Sequence, residues 1–87
     1  MDIERANEIL NQYYSNERLR EIRRAKGFDA SETDTIRMHE YIAELLRKEA
    51  SSTNDDEEAK NLIDAARCFE ELAKTEWRNK FQRRNSI

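Results

Sequence analysis

The first stretch of hydrophobic positions at helical spacing lies at the start of the chain. At about 100° per residue, five apolar side chains fall within one face of a helix: Ile3, Ala6, Ile9, Leu10 and Tyr13. Asp2 stands just before them, where an N-cap carboxylate accepts hydrogen bonds from free backbone N–H groups. The pattern therefore predicts a helix that begins at residue 2.

The end of this first helix is open to two interpretations. If the helix continued to residue 26, Leu19 and Ile22 would point almost opposite to the first apolar stripe. Ser15 and Asn16, which both favour helix caps over helix interiors, lie at the changeover. The sequence thus allows a helix over 2–26 with a break at 15–16, or one continuous helix whose two halves bury opposite faces.

A second helix is predicted over residues 34–50. Gly27 follows several cations, which is typical of a helix end because glycine adopts the left-handed conformation and cations complement the carbonyl terminus. Ser31 and Asp34 have the spacing of a capping box. We expect Phe28, which directly follows Gly27, to pack into the core. The apolar stripe of this helix consists of Met38, Tyr41, Ile42, Leu45 and Leu46.

The last helix is predicted over residues 55–82, after a linker at 51–54. Asn54 and Glu57 have capping-box spacing, and a single apolar stripe extends over about 40 Å: Ala59, Leu62, Ile63, Ala66, Phe69, Ala73, Trp77 and Phe81. The tail 83–87 continues no pattern, so we expect its end to project or fray. The predicted fold is all-α, one small domain of three helices, or four if the first is broken near Ser15, with a long C-terminal helix.

Composition supports this fold and narrows the functional classes. The 87 residues include no proline and one glycine, which favours helices, and 16 cations nearly balance 19 acids. No apolar run is long enough to span a bilayer, the start resembles no signal peptide, and the lone Cys68 has no disulfide partner. We therefore expect a cytoplasmic protein that does not enter membranes.

Candidate catalytic and metal-binding groups are sparse. His39 is the only histidine, and Ala43 stands where the zinc-protease motif requires a second one. The acidic run 55–58 lacks the alternating ligands and glycine of a calcium loop, and Gly27 alone forms no phosphate loop. We predict no catalytic residues, no metal site and no cofactor, with His39 and Cys68 as ordinary packed or solvated side chains.

Charge and aromatic residues give the remaining functional signal. Cations cluster at 18–26 and again at 78–84, beside Trp77 and Phe81. Adjacent tyrosines on one helix cannot both face one core, so we expect Tyr13 or Tyr14 to be exposed or to face a partner. The candidate partner-binding residues are Tyr14, Arg20, Arg23, Arg24, Trp77, Arg78, Lys80, Phe81, Arg83 and Arg84.

Two functional hypotheses follow from these clusters. The first is a non-catalytic protein-interaction module, a regulator, inhibitor or adaptor that binds a larger protein partner. In a second form of this hypothesis, two copies of the chain form a homodimer, because one copy has few large apolar residues and a second copy would complete its core. The alternative is a nucleic-acid-binding accessory protein, in which the clusters 18–26 and 78–84 contact phosphates and the aromatics stack on bases. A small protein of this kind is a plausible product of bacteria or phages.

Overall fold

The computed structural model describes the backbone of residues 1–85 and the side chains of residues 1–83. Over this range the chain forms four helices, α1 (Ile3–Tyr13), α2 (Asn16–Ala25), α3 (Glu32–Ser52) and α4 (Asp56–Asn85), and no strand. The prediction of an all-α bundle with a long C-terminal helix is confirmed, in its four-helix form.

A break separates α1 from α2, so the interpretation as one continuous helix is wrong. Tyr14 is extended, with φ −134° and ψ 116°, and its N–H donates to the carbonyl of Leu10. Ser15 then caps α2, because its Oγ accepts a hydrogen bond from the backbone N–H of Arg18 at 3.1 Å. Serine is favoured at the start of a helix, where its hydroxyl accepts a hydrogen bond from a free backbone N–H, and is less favoured within a helix. This preference is the local reason for the break.

The turn after α2 depends on Gly27. Its φ of 74° lies in the left-handed region that disfavours side chains with a Cβ. The N–H groups of Gly27 and Phe28 donate to the carbonyls of Arg24 and Arg23, both at 3.0 Å, which is the Schellman pattern. The turn directs Phe28 back toward the core, against which it packs half-buried as expected.

The starts of α3 and α4 differ from the predicted ones, because at each start two residues could serve as the N-cap. Ser31 caps α3, which therefore begins at residue 32 and not at 34. Asp55, and not Asn54, caps α4, since its Oδ1 accepts from the N–H groups of Glu57 and Glu58 at 3.0 and 3.3 Å. Asparagine and aspartate cap helices about equally well, so sequence spacing does not separate them. At its other end α4 continues through residue 85, beyond the predicted end at 82.

The core lies where α1 and α3 pack against α4. Contacts from Thr53 to Glu58 and from His39 to Glu76 make α3 antiparallel to α4. The most completely buried large side chains are Leu10, Ile36, Leu46 and Leu62. The short α1 packs against the first half of α4. Tyr13, at the C-terminal end of α1, contacts Glu58, and Met1, just before α1, lies near Cys68. The second half of α4 is therefore covered mainly by α3.

The molecule is elongated because α4 is long. Its extents are 50 × 26 × 19 Å, and its Cα radius of gyration is 14.0 Å, against about 12 Å for a compact domain of this length. A helix of 30 residues spans about 45 Å, nearly the whole long axis. The second half of α4 thus forms one end of the molecule and carries the candidate residues 77–83.

Candidate interaction surface

An aromatic pair lies near the end of α4. The rings of Trp77 and Phe81 are stacked, with centroids 6.1 Å apart and 23° between their planes. Trp77 is half-buried and its Nε1 donates to Glu40 of α3 at 3.4 Å, whereas 52% of Phe81 is exposed. One aromatic side chain is thus held by the fold while its stacked neighbour faces solvent.

The cations around this pair divide into engaged and exposed groups. Lys80 lies 4.0 Å from Glu32 and Arg83 forms an ion pair with the same carboxylate, so both hold the end of α4 against the start of α3. Arg78 is exposed. The side chain of Arg84, also a candidate residue, lies outside the described residues.

The first basic cluster is similarly divided. Arg23 donates to the carbonyl of Asp29 and, at 3.0 Å, to the hydroxyl of Thr35, so it fastens the turn after α2 to α3. Arg20 and Arg24 are exposed. Because Arg23 reaches Thr35 while Lys80 and Arg83 reach Glu32, the structure brings the ends of both clusters to the beginning of α3.

Both adjacent tyrosines pack against the core, so the expectation that one would be exposed is wrong. Tyr13 donates its hydroxyl hydrogen bond to Glu58 of α4, and Tyr14 donates to Glu49 of α3 at 2.8 Å. The expectation assumed helical backbone through both residues, whereas the extended Tyr14 directs its ring to a different helix. The hydroxyl of Tyr14, a candidate partner contact, is therefore engaged within the fold.

The environment of Tyr14 predicts a stability change at high pH. Burial and then the hydrogen bond to Glu49 raise its pKa from 10.0 to about 12. Because the pKa of the Tyr14 hydroxyl is higher in the folded state, its protonated form stabilises the fold fully below pH 10. This stabilisation is lost as pH rises through 12. We expect the difference in free energy of unfolding between the native protein and Tyr14→Phe to shrink across that interval. Urea unfolding at a series of pH values measures it, and a difference that stays constant would contradict the role of this hydroxyl.

His39 lies between three helices. Its Nδ1 is 2.6 Å from Oε1 of Glu76, and its ring centroid is 6.2 Å from that of Phe69. It also borders a groove of about 270 Å³ between α2 and α3, whose apolar lining residues are Leu19, Met38 and Ile42. Among the residues with described side chains, no three His, Cys, Asp or Glu groups gather as a metal site would require.

A row of cations on α4 is the feature that sequence reasoning missed. Lys60, Arg67, Lys74 and Arg78 are all exposed, and their spacing of seven, seven and four residues places them on one face of the helix. We call these four residues the α4 ridge. They are not consecutive in sequence, so a search for runs of like charge does not find them, whereas a helical projection does.

Acidic residues border the ridge on the α3 side. Arg47 of α3 forms a bidentate pair with Glu70, with both N–O distances 2.8 Å. These hydrogen bonds lower the pKa of Glu70. On the same face of α3, Glu40 accepts from Trp77, and the exposed Glu44 lies between Glu40 and Arg47. The hairpin of α3 and α4 thus presents the ridge on one helix and Glu40 with Glu44 on the other.

Comparison with protein-family models, with curated proteins and with solved structures finds no match. Within the described part of the chain, no helix is both long and apolar enough to cross a membrane.

Proposed function

We propose that this chain is a non-catalytic protein-interaction module, a regulator, inhibitor or adaptor that acts by occupying the surface of a larger protein. The observation that carries the proposal is the stacked pair of Trp77 and Phe81, in which 52% of Phe81 is exposed. Aromatic side chains next to cations are typical of the residues that dominate binding energy in protein interfaces. Phe81 contributes little to the fold, since about half of its surface faces solvent, whereas Trp77 holds it in place from a half-buried position.

The engaged cations favour a protein partner over nucleic acid. Arg23, Lys80 and Arg83 make ion pairs or hydrogen bonds within the fold, and phosphate binding would compete with these contacts. The surface between them also carries carboxylates, among them Glu32 and Glu76. A polyanion would meet repulsion there, whereas a folded protein surface can present charges of both signs.

Photocrosslinking from position 81 tests the proposal. A photoreactive phenylalanine analogue replaces Phe81, which conserves the aromatic ring, and the protein is irradiated in the cells that produce it. We expect an adduct with one larger protein, identified by mass spectrometry after denaturing purification. The same analogue at Glu4, an exposed residue of α1, is the matched control and should give no such adduct. No adduct from position 81, or an adduct with a second copy of this chain alone, would contradict the proposal.

The nucleic-acid hypothesis has one observation in its favour, the convergence of the two basic clusters at the beginning of α3. In that case position 81 should give nuclease-sensitive adducts. Affinity for a single-stranded oligonucleotide should also fall steeply with salt, because phosphate contacts release counterions. Exposed Arg20, Arg24 and Arg78 would then supply the binding energy, and charge reversal at these positions should abolish binding.

A further inference from the structure

The chemistry of the partner can be derived from the outer face of α4. Each residue of the α4 ridge is exposed, and Phe81 continues the row, since Lys60, Arg67, Lys74 and Phe81 stand seven residues apart. Seven residues are about two turns, so successive members are about 10.5 Å apart along the helix. This face therefore presents three evenly spaced positive charges that end in an exposed aromatic ring.

The charges of the ridge are available for a partner. Among residues with described side chains, Lys60, Arg67 and Arg78 form no ion pair, and Lys74 lies 3.8 Å from Glu71. Both members of that last pair are largely exposed, with 72% and 73% of their side chains accessible. Exposed pairs of this length contribute little stability. Glu71 is thus a weak competitor for an incoming carboxylate.

We infer that the α4 ridge docks an amphipathic helix of the partner protein that carries carboxylates along one flank. This inference rests on the proposed function and names the partner surface. A second helix has the same repeat of about 10.5 Å per heptad, so carboxylates seven residues apart face Lys60, Arg67 and Lys74 together. An apolar residue near the end of that helix then packs on Trp77 and Phe81.

Acidic residues next to the ridge restrict the charge pattern of the partner helix. Glu40 and Glu44 of α3 lie on the side of α4 that holds Trp77 and Glu70. Carboxylates facing α3 would be repelled, so the second flank of the partner helix carries neutral or basic residues. A continuous polyanion cannot meet this condition, because its charges face both sides. On the other side of the ridge, Asp64 and Glu71 lie beside Arg67, so the carboxylates of the partner helix have to follow the row of cations itself.

A designed peptide tests the inference directly. The probe is a 21-residue helix-forming peptide with leucine on its apolar face, glutamate along one flank and glutamine along the other. Trp77 is the only tryptophan of the chain, so its fluorescence reports binding at the end of the ridge. We expect saturable binding that weakens as salt is raised. A peptide with lysine in place of each glutamate should not bind.

Matched double variants identify the surface. Arg67→Glu with Lys74→Glu reverses two ridge charges and should weaken peptide binding about tenfold or more. Arg37→Glu with Lys48→Glu makes the same change in net charge on α3, where both residues are exposed, and should leave the affinity within about twofold. Circular dichroism of both variants checks that the helical fold is retained.

Three results would overturn the inference: no binding of the acidic peptide, equal binding of the lysine peptide, or equal loss of affinity in the two double variants. Tighter binding of a single-stranded oligonucleotide than of the peptide, lost in the ridge variant, would replace the helix by nucleic acid. These outcomes are separate from photocrosslinking. If position 81 captures a protein partner but the acidic peptide does not bind, the docking inference fails and the proposed function stands.

Discussion

Replacement of Leu46 by alanine is expected to lower the free energy of unfolding by about 3 kcal/mol. Leu46 is fully buried and belongs to the cluster formed by α1, α3 and α4. The loss combines the transfer free energy of the deleted methyl groups with the cost of the cavity left behind. A domain of this length has a total stability of about 4 to 13 kcal/mol, so one substitution removes a substantial fraction. Urea unfolding followed by circular dichroism measures it.

Leu45 provides the matched control, because it is the same residue type at the next position of α3 and is only half-buried. Leu45→Ala removes the same atoms from a site that water already reaches, and we expect a loss of about 1 kcal/mol. Helix propensity changes equally in the two variants, so the difference between them reports burial. Equal losses would mean that Leu46 does not occupy a closed core.

Replacement of Ala66 by leucine is expected to destabilise the fold by about 1 to 3 kcal/mol, although it adds apolar surface. Small side chains line the contacts between helices: Ala6, Ala43, Ala65, Ala66 and Ala73 are at most 2% exposed. They let α1 and α3 approach α4 closely, and we expect the three further carbon atoms of a leucine at the fully buried Ala66 to force these helices apart. Unfolding in urea again measures the change.

Ala25→Leu is the control for added volume. Ala25 lies at the exposed end of α2, where a larger side chain extends into solvent and should change stability by no more than about 0.5 kcal/mol. If Ala66→Leu proved neutral or stabilising, the close approach of the helices around α4 would be wrong. The ridge lies on the outer face of this same helix, so its orientation toward solvent depends on that packing.

The two faces of α4 have separate roles. Its inner face carries Leu62, Ala66 and Phe69, which hold the bundle together, while its outer face carries the ridge. Substitutions on the inner face should change stability, and charge reversals on the outer face should change binding with little effect on stability. A protein that binds through one face of a long helix can change its binding residues without disturbing its core, because helical periodicity places the two sets of residues on different faces.

The local features of this protein follow from residue type and spacing. Periodic apolar residues specify where helices form, and Gly27 allows the turn after α2. Ser15 marks a possible break, but a continuous helix stayed open until the extended Tyr14 was seen. These features depend on backbone dihedrals and on neighbours within about one helical turn, and such short-range preferences can be derived from residue type. Even here, neighbouring cap residues such as Asn54 and Asp55 were not separated, since their preferences are nearly equal.

Contacts between helices distant in sequence establish which side chains are engaged within the fold and which stay exposed. Lys80 and Arg83 meet Glu32 across about 50 residues of sequence, while Arg67 and Arg78 stay exposed. Tyr14 reaches Glu49 because the backbone leaves the helix at that residue. Such contacts depend on where loops turn and on how helices cross, which residue periodicity within one helix does not encode. The ridge is likewise defined as a surface only because α1 and α3 cover the other faces of α4.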